Sequence, residues 1–426
     1  MKIRILYIFV LYILPHVLKS QGKENNVLEK ILYLQYDQFK PYLDNKDAYN
    51  IQILYTQVLR DKNNKPSLKT YTYNIDNRNY IYPASTVKLP VILLSLEKVN
   101  KINELKEEIV LTKNTRMSTL ASSICPEGVL ATIPQDTNPP CIAQYAERML
   151  LVSDNPSFAR LYEFLGQRYI HETLQGKGYD SIRIVRRLGG SLCYTDQQNA
   201  CTNPVMFHNN QLQMVYKQDE ICNDSLPQPI FSKIEVGKTH LDGFGRFQNF
   251  PLDFTTNNFF ALSQLHKITI ATILPETLEK KLRFNLTAED YTFLWRLMGA
   301  YPREGIKTAY SIQTGHFDTY KKYLFYGQDP NAQINPNIRI FNIVGLAYGF
   351  AIDSAYIVDF ENNIEFFLTA AIYTNRDGVL NDNLYEYATE GMPFLKMLGQ
   401  TIYKYELAKE KKYKSNLSKF QVFQKN

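Results

Sequence analysis

Apolar residues recur every three or four positions from Val27 to Tyr42, a spacing that predicts a helix. The next two stretches, Ile51 to Leu59 and Leu68 to Ile75, flank the polar turn Asp61-Lys62-Asn63-Asn64-Lys65 and read as a hairpin. Pro83 leads into a further helix over Ser85 to Asn100, with Val87, Val91 and Leu94 on one face. Pro90 inside it predicts a local kink, because its ring leaves the carbonyl of Thr86 without a partner. From Lys101 to Tyr301 the text reads as helical segments separated by loops rich in Pro, Asn and Gly, with no internal repeat. Strand composition returns at Ile338 to Val344, Gly349 to Phe360 and Ile364 to Thr374, with the tight turn Glu361-Asn362-Asn363 between the last two. A closing helix begins near Pro393 and carries Phe394, Leu398, Ile402 and Tyr405.

A hairpin near one chain end and a meander near the other each expose an edge that needs pairing. The expected fold class is therefore α+β: an antiparallel five-stranded sheet flanked by N- and C-terminal helices, plus an all-helical subdomain. Residues 21–100 and 335–410 would make the sheet subdomain, 101–334 a mostly helical one with an insert at 221–301, and 411–426 a basic tail.

Composition narrows the setting. A chain of 426 residues with 45% hydrophobic content can build a sizeable core, which argues against overall disorder. Lys2 and Arg4, the apolar run Ile5 to Leu14, Pro15 and the junction Leu18-Lys19-Ser20 read as a secretory leader cut after Ser20. That predicts a periplasmic or secreted protein without a permanent membrane anchor, since the run is too short to span a bilayer. Loss of Lys2, Arg4 and Lys19 takes the formal charge from +6 to +3, too little to suggest nucleic acid. The one basic cluster, Lys409, Lys411, Lys412, Lys414 and Lys419, reads as a solvated, frayed helix end. Five cysteines in an exported chain allow two disulfides; spacing suggests Cys193 with Cys201 and Cys125 with Cys141, leaving Cys222. Neither the cysteines nor the six histidines form a metal-ligand motif, and no cofactor is indicated.

Two short motifs carry chemistry. Ser85-Thr86-Val87-Lys88 puts a hydroxyl and an amine on one face of a helix start, where the amine can take the hydroxyl proton if burial lowers its pKa. Alone, the same letters describe a helix cap followed by a lysine reaching for solvent. Ser153-Asp154-Asn155 lies in the turn between two helical segments; Ser153 could relay a proton, and Asn155 could hold a substrate carbonyl or the lysine.

With these residues in this order, followed by a late strand ending in glycine, the chain resembles the serine β-lactamases and penicillin-binding acyl transferases. More narrowly it resembles their long class A-like branch in Bacteroidetes. The resemblance implies that Ser85 is acylated, Lys88 activates it, Ser153 shuttles the proton and Asn155 positions substrate. It also implies an oxyanion hole made by the N–H groups of Ser85 and Leu346. The family's third motif, Lys-Thr/Ser-Gly, finds its counterpart in Ile343-Val344-Gly345, preferred over Gln313-Thr314-Gly315 and Lys238-Thr239-His240 because strands follow it, and the resemblance implies that Val344, Gly345 and Leu346 bind substrate. Loss of the lysine and threonine removes the usual grip on a substrate carboxylate. The loop Arg186 to Cys201, where class A enzymes carry a deacylating glutamate, has Asp196 as its sole acid. The expected activity is an exported serine hydrolase or acyl transferase acting on an amide or ester, small molecule or peptide. A class A-like β-lactamase and a catalytically impaired sensor on the same fold are the alternatives.

Overall fold

The computed structural model describes residues 26–131, 139–189, 191–223, 231–305 and 314–423; the expected leader lies outside them. The described residues open with two short helices where one was expected, α1 (Val27–Leu34) and α2 (Tyr36–Leu43), meeting at Gln35. Asn26 caps the first by accepting the N–H of Leu28. The hairpin follows as β1 (Gln52–Arg60) and β2 (Pro66–Tyr73), and the Asp61 carboxylate sets its turn by accepting the N–H groups of Asn63 and Lys65. The meander is β3 (Ile338–Ala347), β4 (Phe350–Asp359) and β5 (Ile364–Tyr373). All five strands form one antiparallel sheet in the order β3-β4-β5-β1-β2, so β5 closes the two chain ends together by pairing with β1.

The helices that matter to the site are α3 (Lys88–Lys106), α4 (Ile142–Val152), α5 (Asn155–Leu165), α6 (Gln167–Gly176), α7 (Leu262–Ile273), α8 (Ala288–Gly299) and α9 (Met392–Ala408). Phe341, Ile343, Ile352, Tyr356 and Phe367 pack with α3, α4, α5, α7 and α8. Their strand neighbours Ile340, Val344, Ala355, Ile357, Phe366 and Leu368 pack with α1, α2 and α9 on the other face. Because helices cover both faces, the meander strands are apolar nearly throughout instead of alternating with polar residues.

Four expectations are corrected. The region 101–334 is less helical than expected: its described residues between 201 and 260 include short strands, among them Val205–His208 paired with Arg116–Thr119 and Met214–Gln218. Side-chain turns impose this, with Asn209 accepting the N–H groups of Gln211 and Gln213, and Asp242 those of Phe244 and Arg246. Helix α7 belongs to the sheet layer: His266 bonds Thr56 on β1 and Thr369 on β5, and Thr269 bonds Ser354 on β4. The tail is not a frayed end, since Leu417 and Phe420 are buried, the Phe420 ring meeting Trp295 edge-on and Phe341 and Tyr356 at a tilt. The disulfides are Cys125–Cys193 and Cys201–Cys222, with Cys141 free and buried at the N-cap of α4. Spacing along the chain misled there because the loops that carry these cysteines pair across the fold.

Candidate active site

Residues 84–87 form a single 3₁₀ turn, and the α-helix proper begins at Lys88. That late start removes the expected kink, because Pro90 falls in the first turn, where no intrahelical N–H is required. The Pro83 carbonyl fixes the turn by accepting both the N–H and the hydroxyl of Thr86, at 3.0 and 2.7 Å. Ala84 is held left-handed with φ 45°, a conformation that costs a residue with a side chain about 1–2 kcal/mol. This bend lifts Ser85 out of the line of α3 and into the cleft. From the other side, α4 ends at Ser153, also left-handed with φ 61°, and Asp154 caps α5 by accepting the N–H of Ser157 at 2.8 Å.

The two turns meet at the Lys88 side chain, which is wholly buried. Its Nζ lies 2.8 Å from Ser85 Oγ, 3.0 Å from Ser153 Oγ, 2.7 Å from Asn155 Oδ1 and 2.5 Å from the Ser153 carbonyl oxygen. Ser153 Oγ is 2.8 Å from Ser85 Oγ. These positions suit an unprotonated amine: its two N–H groups reach the Asn155 and Ser153 carbonyl oxygens, and its lone pair accepts the Ser85 hydroxyl. Ser85 Oγ then accepts from the Ser153 hydroxyl, and the chain of donors and acceptors is complete. Burial pushes the Lys88 ammonium well below the usual lysine range; the nearby charge of Lys321 adds to the push and Asp154 opposes it.

β3 forms the far wall. A Cβ on Gly345 would sit 2.5 Å from the Pro83 carbonyl oxygen and 3.1 Å from Thr86 Cγ2, so glycine is what lets the strand approach the Ser85 turn. Leu346 lines the same cleft as Ser85 and Asn155. Val344 does not: strand alternation turns its side chain into the α9 side of the core, which corrects its assignment to substrate binding. Ile343-Val344-Gly345 is nonetheless the strand beside the turn. Thr239 and His240 sit in a minor sheet with Val379 and Leu380, and Gly315 faces open space where a side chain would stand, while Gln313 lies outside the described residues.

The cleft, roughly 440 Å³, is walled by side chains that belong to no motif: Tyr82, Tyr348, Asn381, Asn383, Tyr385 and Tyr387. Tyr82 and Tyr348 stand beside motifs and the other four do not. Asn381 and Asn383 are left-handed turn residues, and Tyr385 and Tyr387 are braced, their hydroxyls accepting the N–H groups of Asn381 and Gly349. Among the described residues that line it there is no arginine, lysine, aspartate or glutamate. Asp196 pairs with Arg186 instead, its side chain 54% exposed. Glu127, on the loop tied down by Cys125–Cys193, pairs with Arg160 and accepts from Ser191 and Leu192. Cys125, Glu127 and Cys193 lie close together, but both sulfurs are in the disulfide and leave no thiolate for a metal.

Among family models, that of the Beta-lactamase enzyme family matches residues 37–228, a stretch that holds Ser85, Lys88, Ser153 and Asn155 and ends before β3. No curated protein matches the chain. Solved structures similar to it include the β-lactamase from Sphaerobacter thermophilus, at 9% identity over 87% of this chain and 97% of that one, TM-score 0.46. A mutant of PBP-A, as an acyl-enzyme complex with penicillin G, is 12% identical over 91% and 98%, TM-score 0.45. The chromosome-encoded β-lactamase of Vibrio parahaemolyticus is 12% identical over 86% and 98%, TM-score 0.43. The family match falls on the very turns that converge at Lys88, in a chain whose five-stranded antiparallel sheet is flanked by helices.

Proposed function

We propose that this protein is an exported serine hydrolase or acyl transferase that forms an acyl-enzyme at Ser85 with an amide or ester substrate. The observation that carries this reading is the buried Lys88 amine, bonded to Ser85, Ser153 and Asn155. In the proposed step Ser85 Oγ attacks the substrate carbonyl carbon while its proton passes to Lys88. The oxyanion would be met by the N–H groups of Ser85 and Leu346, at the helix start and the β3 end respectively. Collapse of the tetrahedral intermediate breaks the bond to the leaving group, which takes its proton through the Ser153 hydroxyl. Export is supported by the leader pattern at residues 2–20 and by the two disulfides.

The walls of the cleft favour a substrate whose recognised part is uncharged, since tyrosine and asparagine face it and the described lining offers no cation for a carboxylate. They also favour slow release: without a lining carboxylate to activate water, the ester at Ser85 is expected to persist. That observation keeps a second reading open, a sensor that acylates once. The test is intact-protein mass spectrometry after exposure to a neutral ester, a penicillin and a D-Ala-D-Ala peptide, with turnover of a chromogenic cephalosporin followed in parallel. An adduct that vanishes in Ser85→Ala is expected, larger in yield with the ester than with the anionic substrates. Undiminished labelling of Ser85→Ala would sink the assignment. An adduct stable for hours without turnover would favour the sensor.

A further inference from the structure

Lys321 is a buried cation for which neither the sequence motifs nor the proposed chemistry accounts. It arrives on the segment between α8 and β3 and is 4% exposed. The sheet pins that segment: the Asn342 amide on β3 donates to the Lys321 carbonyl at 2.6 Å, and the Leu324 N–H donates to Asp353 on β4 at 2.9 Å. The Lys321 ammonium then crosses to the other subdomain and donates to the carbonyls of Met149 and Leu150, both at 2.9 Å. Those carbonyls belong to the last turn of α4, which ends in the Ser153 turn that contacts Lys88. A lysine normally finds a carboxylate or water when buried, because an uncompensated interior charge is expensive. Here Nζ donates to two backbone carbonyls, and its charge bears on Lys88.

We propose that Lys321 is a positioning residue for acylation, holding the end of α4 in register with Ser85 and opposing a second positive charge on Lys88. The inference rests on the acyl-enzyme reading above. The charged groups that bear on the pair are Asp154 at the head of α5 and, from the sheet side, Asp353 and Lys322. Burial brings Lys321 itself down to about 7, so below neutrality it is charged and resists protonation of its neighbour.

The test follows the second-order rate of Ser85 acylation by an ester probe from pH 5 to 10 in the wild type, Lys321→Met and Lys321→Gln. Glutamine keeps an N–H donor for the α4 carbonyls without the charge. Both variants should move the acid limb of the profile upward by about one pH unit, a roughly tenfold loss at acidic pH that shrinks toward pH 10. An acid limb unmoved in both variants, with acylation at the wild-type rate in each, overturns the proposal and leaves Lys321 a packing residue. Should neither variant fold, lysine-labelled NMR of the wild type decides: coupled titration of Lys88 and Lys321 supports it, and two independent single-step titrations overturn it. Absence of acylation in the wild type would instead remove the reading on which the inference stands.

Discussion

At the scale of single residues, the site is a question of where protons sit. An ammonium has three N–H groups and no lone pair, so a protonated Lys88 cannot accept the Ser85 proton. Its folded pKa is pressed well below 10.5 by burial, so the reactive form is present above that lowered pKa and lost as pH falls through it. Lys88→Gln should preserve hydrogen bonds to Ser153 and Asn155 while removing the base. We expect it to fold and to acylate about 10²–10⁴ times more slowly, with the acid limb of the pH profile gone. Labelling rates at several pH values check this, and a limb that survives in Lys88→Gln would assign it to another group. Sequence alone supplied Ser85, Lys88, Ser153 and Asn155 because their chemistry is packed into three or four letters each. It could not supply Lys321 or the tyrosine wall, whose roles come only from segments folding against the motifs.

Elements were legible where their period was sustained. The meander strands run for ten residues each, and their apolar character on both faces is plain in the letters. Strands of two to five residues between positions 201 and 260 repeat too briefly to declare a period, and turn residues there were read as loops between helices. Likewise the packed tail was hidden because Leu417 and Phe420 stand among lysines. The contact between β3 and the Ser85 turn tests the element scale directly. Gly345→Ala would force β3 away from Pro83 and Thr86, destabilising by about 1–3 kcal/mol through overpacking. It would also slow acylation, since the same displacement moves Leu346 away from Ser85. Gly176→Ala, at the end of α6 with nothing within 4 Å of its Cβ, is the control and should be neutral or stabilising. Equal melting temperatures and labelling rates for the two variants would show that the strand tolerates the extra atom.

Across the whole molecule, the unusual feature is how many ionisable side chains the core shifts toward their neutral form. Lys98, Lys321 and Lys322 are each brought by burial to about 7, against 10.5 for an ordinary lysine. Between those values the unfolded chain binds more protons than the folded one, so stability must rise with pH through that window. The histidines act in the same sense lower down: burial lowers His171 to about 4 and His266 to about 3, so their contribution is recovered as pH rises toward 6.5. Asp353, pushed by burial up to about 7, acts oppositely but only below that value. Buried tyrosines set the upper bound. Tyr169 and Tyr291 are raised to about 12, so above pH 10 the unfolded chain loses phenolic protons that the folded one keeps, and stability falls. The combined signs predict maximal stability at about pH 9–10 instead of the more usual pH 5–8. Urea midpoints measured from pH 5 to 11 at constant ionic strength, with both disulfides kept oxidised, should climb from neutrality to that maximum and then drop. A midpoint that declines steadily between pH 7 and 10 would mean the buried lysines keep their protons in the folded state. That would withdraw the electrostatic basis for Lys88 as a base.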